Sequence, residues 1–347
     1  MGAPARLRLL LRTVTLAAPA LALASACRTE SPLSTLTDRG EVSERINGLF
    51  FPVFWFAVVP IFIVVEGLLL YAVLRYRQRP GREALPQQVH GNTRLEVGWT
   101  IVPSLILAVI AIPTISTIVD LARKPDNPLE VRVIAHQWWW EFQYRDPSDP
   151  NKSVYVANEM HIPVGRKIYA TVESVDVIHS FWVPNLAGKI DAVPGKQNHI
   201  WFDAKQPGVY QGQCAEFCLD SHALMRFVVI ARPENEFNQW LRDQAQRART
   251  PTTGSAARGF EVFMGNACIA CHAIEGTNAQ GRTAPNLTHF GSRLTLGANR
   301  LENTPENVVR WIKNPQAFKP GAKMPAWEGV LSDEDIKAIA DYLESLK

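Results

Sequence analysis

The segment QCAEFCLDSHALM, Gln213 to Met225, sets Cys214 and Cys218 four positions apart, His222 four further on, and Met225 three after that. Two thiols, an imidazole and a thioether this close together admit several chemistries. A disulfide between Cys214 and Cys218 is compatible with an exported chain but leaves His222 and Met225 without a role. Zinc takes two cysteines with two histidines, yet a thioether is not a usual zinc donor. A mononuclear blue-copper centre uses one cysteine, two histidines and a weak axial methionine, which leaves one thiol over. Two bridging thiolates can serve two copper ions. Each ion then needs one imidazole and one weaker donor, so a second histidine must come from elsewhere. The segment DVIHSFWVP offers one, His179.

A second group of donors lies further along. CIACH, Cys268 to His272, is the C-x-x-C-H signature of covalent c-type haem attachment. Its two thiols reach the two porphyrin vinyl groups, and the histidine directly after them is placed as the proximal iron ligand. A redox dithiol or half of a zinc site needs no adjacent histidine. Met324, in PGAKMPAW, is the one methionine downstream of the motif and the candidate sixth ligand. Met/His ligation raises the potential and suits electron transfer. His289 is the rival ligand and reads as a surface residue. From Ala257 to the C-terminus the chain resembles a class I cytochrome c. In that resemblance Pro285 of TAPNL is the residue whose carbonyl holds the proximal histidine.

Several elements must position these donors. Residues 1–26 carry Arg6, Arg8 and Arg12 ahead of a short apolar run ending in small residues, the anatomy of a secretory signal peptide. Cys27 follows directly and is a candidate lipidated N-terminus. The region 27–125 holds two apolar segments, about 49–74 and 99–119, each with the ~20 residues that cross a bilayer as a helix. Arg75, Arg77, Arg79, Arg82 and Arg94 lie between them and place that connection in the cytoplasm. Everything after Asp120 is then outside. Glu66 interrupts the first segment, a functional position or a pairing site in a neighbouring subunit. Residues 126–242 read as short β-branched and aromatic strands split by turns, a β-sandwich. Residues 243–256 form a polar linker. Residues 257–347 turn helical, with Thr304 and Ser332 as N-caps and Ile336, Ile339, Ala340 and Leu343 as one apolar stripe. The formal net charge of +3 falls to zero once the three leader arginines are removed, so no nucleic-acid partner is expected.

His179 followed by CAEFCLDSHALM, on a chain that starts with a helical hairpin, resembles the dinuclear CuA site of cytochrome c oxidase subunit II. The resemblance implies a two-helix transmembrane hairpin, a cupredoxin-like domain and an all-α class I cytochrome c domain. It implies that Cys214 and Cys218 bridge two copper ions, that His179 and Met225 complete one ion, and that His222 and the Glu216 carbonyl complete the other. The Glu216 carboxylate would face a magnesium or manganese ion at the boundary with subunit I. In AHQWWWEF, Trp138 takes the family position where electrons enter, while Trp139 and Trp140 read either as part of that path or as packing. Glu96, in LEVGWTIVP, would sit near the mouth of a proton path in subunit I or be an interfacial carboxylate.

The expected function is therefore that of subunit II of a proton-pumping haem-copper oxidase. Electrons would run from the fused haem c through CuA to the oxygen-reducing subunit I, with no catalytic residue in this chain itself. Subunits I and III are the expected partners, and the external donor would be a cytochrome or a quinol-oxidising complex. The expected setting is a bacterial inner membrane with both metal domains on the periplasmic face. A CuA-bearing subunit of a nitric oxide reductase is the alternative, and a membrane-anchored copper chaperone a further one. The cysteine count fits: of five, four go to copper and haem and Cys27 to the processed N-terminus, which leaves none for a disulfide.

Overall fold

The computed structural model describes residues 31–77, 88 and 90–347. The leader, Cys27, Arg79 and Arg82 lie outside the described residues.

Two long helices come first, α1 (Glu41–Tyr76) and α2 (Thr93–Ala122), with mean hydropathies of 2.5 and 2.2 in their most apolar windows. Both extend past the apolar segments seen in sequence. Pro52 and Pro60 remove backbone donors in α1, and the turn between them widens to a π-helix at Phe54–Val58. Asn92 caps α2 by accepting from the Arg94 and Leu95 amides. The far end of the hairpin is tied down by Arg45 to Asp120 at 3.9 Å and by the Trp201 indole donating to the Leu121 carbonyl at 3.0 Å.

Ten strands follow: β1 (Leu129–His136), β2 (Trp139–Arg145), β3 (Ser153–Ala157), β4 (Glu159–Pro163), β5 (Ile168–Ser174), β6 (His179–Trp182), β7 (Lys189–Ala192), β8 (Asn198–Phe202), β9 (Gly208–Cys214) and β10 (Arg226–Arg232). They form two five-stranded sheets, ordered β3-β2-β1-β5-β8 and β4-β10-β9-β6-β7. Strand β5 shows why: Ile168, Ala170 and Val172 are fully buried while the residues between them are half exposed, the period of a one-sided strand. The inward faces interlock through Trp140, Phe142, Phe181, Phe202 and Phe227. Gly212 is required at that contact, because a Cβ there would lie 2.3 Å from the Phe227 ring. Strands β6, β9 and β10 lie side by side, with Phe181 opposite Cys214 and Gln213 opposite Arg226. His179, Cys214 and the connection 215–225 therefore gather at one end of the sandwich.

Helix α3 (Glu234–Gln244) closes this domain, and α4 (Gly254–Met264) opens the next, so residues 245–253 join them. In the C-terminal domain α4 crosses the last helix, α7 (Asp333–Ser345), where Gly259 meets the Ala338 carbonyl; a Cβ would be 1.8 Å from that oxygen. Between them come α5 (Cys268–Cys271), a small hairpin of β11 (Thr295–Leu296) and β12 (Leu301–Glu302), and α6 (Pro305–Lys313). Thr304 caps α6 by accepting from the Asn307 amide, and Ser332 caps α7 by accepting from the Asp335 amide. The stripe of Ile336, Ile339, Ala340 and Leu343 is buried.

The two domains share polar contacts. Glu159 is buried by 98%, and one of its oxygens accepts the Leu294 and Thr295 amides at 2.8 and 2.9 Å. Asn299 donates to Gln211 at 2.8 Å, and Ser221 Oγ donates to the Pro320 carbonyl at 2.5 Å.

Candidate metal centres

At the end of the sandwich the donors converge: His179 and Met225 are fully buried, Cys218 is 1% exposed and Cys214 6%, while His222 is half-buried. The thiols are 3.8 Å apart. A disulfide would hold them at about 2.05 Å, so the site is a pair of separate sulfur donors. His179 Nδ1 is 3.9 Å from Cys214 Sγ, and His222 Nδ1 is 3.5 Å from Cys218 Sγ. Met225 Sδ lies 3.9 Å from Cys218 Sγ, and the Glu216 carbonyl oxygen lies 3.2 Å from Cys214 Sγ. Backbone pairing brings the ends of the connection together, the Cys214 amide donating to the Met225 carbonyl at 2.9 Å. The ligand atoms of His179, Cys214 and Cys218 all lie within 4.8 Å of one another. Soft sulfur and imidazole donors, with one carbonyl and one thioether at the margin, fit copper better than a hard cation.

Each imidazole has one nitrogen toward sulfur. For His179 the other is fixed: Nε2 is 2.8 Å from Asp176 Oδ1, which sets the tautomer. Asp176 also accepts the Gln137 amide at 2.6 Å and the Val177 amide at 2.8 Å. Burial opposes its ionisation, but these bonds outweigh burial and hold its pKa at about 2. For the sulfur pair, the hydrogen bond from Cys218 lowers the Cys214 pKa against the effect of burial. The same contact, together with burial, raises that of Cys218.

A cavity of about 420 Å³ opens in the C-terminal domain where it meets the copper-site domain, and its wall includes Cys268, Cys271, His272, Pro285, Met324 and Trp327. His272 Nδ1 is 2.7 Å from the Pro285 carbonyl, which leaves Nε2 as the free donor. Burial lowers the His272 pKa and the Pro285 contact raises it, with a net shift downward, so the ring is neutral and able to ligate. Arg293 also lines the cavity and donates to the Asn286 carbonyl; burial lowers its pKa to about 10. A half-buried guanidinium on this wall suits the carboxylates that a haem carries. His289 corrects the sequence expectation of a surface residue. It is 8% exposed, packs inside the domain with Nε2 3.0 Å from the Gln246 carbonyl, and does not line the cavity.

Trp138 joins the two sites. Its indole is 6% exposed, its Nε1 donates to the Cys218 carbonyl at 2.7 Å, and its side chain forms part of the cavity wall. Trp139 also lines the cavity and stacks on His136 at 4.0 Å. Trp140 is a core residue, edge-on to Phe181 at 5.7 Å and to His179 at 6.2 Å. Lys319 from the C-terminal domain is 4% exposed and donates to the Trp138 carbonyl; burial pushes its pKa down to about 7.

The Glu216 carboxylate is half exposed, 3.7 Å from Lys189. Glu66 and Glu96 are exposed on the long helices, away from both sites. Sequence reasoning missed Asp176, Arg293, Lys319 and Glu159. Asp176 carried a signal, since it lies three residues before His179; Lys319 and Glu159 are surface-type residues whose partners are remote in sequence, and Arg293 is a half-buried one held by nearby Asn286.

The sequence profile for the transmembrane domain of cytochrome c oxidase subunit II matches residues 42–117, that for its periplasmic domain matches 129–232, and that for cytochrome c matches 256–347. Cytochrome c oxidase subunit 2 of Alkalihalophilus pseudofirmus is 40% identical over 328 residues, covering 92% of this chain and 93% of the relative. The protein of the same name from Bacillus subtilis is 35% identical over 340 residues, covering 91% and 92%. The solved periplasmic domain of cytochrome oxidase subunit II from Bradyrhizobium japonicum is 32% identical, covering 35% of this chain and 94% of that one, with a TM-score of 0.32.

Proposed function

Because the chain belongs to the cytochrome c oxidase subunit II family and continues into a cytochrome c domain, we propose that it relays electrons from a covalently held haem c through a dinuclear copper centre to the oxygen-reducing subunit I of a proton-pumping complex. Cys214, Cys218, His179, His222, Met225 and the Glu216 carbonyl would hold the copper ions. Cys268 and Cys271 would carry the haem, and His272 and Met324 would ligate its iron. Bound in these places, the two groups supply one-electron chemistry. The chain's own residues hold the donors rigid and exclude water. Asp176 orients His179, the Pro285 carbonyl orients His272, and the buried sulfur pocket keeps thiolate ligands away from solvent.

One observation carries the reading: a single indole, Trp138, both lines the cavity beside Cys268, Cys271 and His272 and donates to the backbone of Cys218. Trp138 is therefore the residue through which electrons enter the copper site. The Glu216 carboxylate, at the site's outer edge, would meet a magnesium or manganese ion shared with subunit I. Glu96 would stand near the proton path of that subunit. Arg75, Arg77 and Arg94 at the helix ends favour a cytoplasmic connection, which puts both metal domains on the periplasmic face of a bacterial inner membrane. Subunit III and an external cytochrome or quinol-oxidising donor complete the set of partners. The test is metal analysis and absorption spectroscopy on the purified chain, with gas uptake on the purified complex. Two coppers per haem in the chain, and oxygen consumption by the complex, are expected. Zinc, a single copper with a blue-copper spectrum, or nitric oxide as the gas consumed would overturn the reading.

A further inference from the structure

The stretch just before Met324 belongs to the C-terminal domain but is held by the copper-site domain along most of its length. Lys319 donates to the Trp138 carbonyl across the boundary and to the Gly297 carbonyl of its own domain at 3.3 Å. The Pro320 carbonyl accepts from Ser221 Oγ at 2.5 Å, next to His222. Gly321 takes a left-handed φ of +77° and lies against Trp138; a Cβ there would meet the indole at 2.9 Å and Asp220 Oδ2 at 2.8 Å. Lys323 Nζ is 3.9 Å from Asp176 Oδ2, and that same oxygen accepts the Gln137 amide at 2.6 Å.

A buried ammonium is costly unless its donors are matched. Lys319 places two of its three donors, one on an acceptor from each domain. Separated from the copper-site domain, its ammonium would return to water. The Trp138 carbonyl is the partner that only the joined arrangement supplies, and it offsets part of the cost of burying the lysine there.

We propose that Lys319 is the positioning residue that seats the cytochrome domain on the copper-site domain and clamps the Met324-bearing stretch against Trp138. The proposal rests on the electron route above and adds the device that holds the two sites in register. Lys319 stands on the cavity wall but supplies no ligand to either metal in this scheme, and acts through the Trp138–Trp139 backbone.

The test uses the intact, detergent-purified complex carrying Lys319→Met, which keeps length and removes the donors, or Gly321→Ala, which forces the stretch off Trp138. The Leu294 and Thr295 amides report on docking, because both donate to Glu159 across the boundary. Opening of that boundary should expose them, so their hydrogen exchange should rise about 10–100-fold, the change expected when a hydrogen bond to a charged group is removed. Exchange in α7 should stay constant, and photoinduced transfer from haem to copper should slow. In the wild type, an amine-reactive reagent should label Lys323 much faster than Lys319. Unchanged exchange at Leu294 and Thr295 in both variants would overturn the proposal. So would an equal rise throughout α7, which would mean that Lys319 only stabilises its own domain. If Lys319→Met fails to assemble, Gly321→Ala and the wild-type labelling decide, and equal labelling of the two lysines counts against the proposal. Copper and haem content of the same samples keeps the two readings apart: a wild type without these groups but with protected amides sinks the electron route and leaves the seating intact.

Discussion

Replacing Asp176 by Asn should weaken copper binding without unfolding the sandwich. Oδ1 of Asp176 faces His179 Nε2 at 2.8 Å and accepts the Val177 amide at 2.8 Å, while Oδ2 accepts the Gln137 amide at 2.6 Å. Asn has the same shape but only one oxygen. Whichever way it is turned, its NH2 faces a donor, either His179 Nε2–H or the Gln137 N–H. If the oxygen stays on Gln137, His179 loses the partner that fixes its tautomer and presents Nδ1 to the sulfur pair. Removing such an outer partner of a metal-ligating histidine costs about 10–100-fold in affinity, which is about 1.4–2.8 kcal/mol. Competition with a chelator of known copper affinity, read on the copper-thiolate absorption, measures it. Asp176→Asn with unchanged copper affinity and unchanged absorption would refute the claim that Asp176 orients His179.

Gly259→Ala should lower the melting temperature of the cytochrome domain, because its Cβ would lie 1.8 Å from the Ala338 carbonyl. Overpacking of this kind costs about 1–3 kcal/mol, and a haem-absorption melt identical to wild type would contradict it. His161, 4% exposed and stacked on Trp240 at 4.0 Å, is held well below its ordinary 6.5 by burial. The unfolded chain therefore takes up this proton first. Stability is complete above pH 6.5 and is lost as pH falls from 6.5 toward the depressed folded value. His161→Phe should flatten that dependence in thermal melts of the copper-site domain, and an unchanged slope would count against it.

The parts of both sites that lie close together in the chain were legible before the fold was known. C-x-x-C-H is a contiguous motif, and Cys214 through Met225 is one loop, so residue type and spacing were enough. His179 could be proposed because the sulfur pair demanded a second imidazole, and the pairing of β6 with β9 supplies the proximity. Caps at Thr304 and Ser332 are local in the same way. What could not be read was contact between remote segments. The Trp138 indole reaches Cys218 across 80 residues, Lys319 reaches Trp138 across 181, and Glu159 reaches Leu294 across 135. Lysine, arginine and glutamate are solvent residues by composition. Only the joining of two domains makes Lys319 and Glu159 buried, and Arg293 is half-buried beside the cavity. His289 was misjudged for the same reason, since its partner, the Gln246 carbonyl, is 43 residues away.

The most direct measurement is the haem-to-copper transfer itself, followed by absorption after photoreduction of the haem in the intact complex, for wild type and Trp138→Phe. The phenylalanine keeps an aromatic ring but loses the Nε1 donor to Cys218. A route through Trp138 requires haem oxidation to coincide with copper reduction in the wild type. It also requires that step to be slower in Trp138→Phe, while both absorption spectra and the metal content are retained. Equal rates in the two proteins, or copper reduced while the haem stays oxidised, would contradict it.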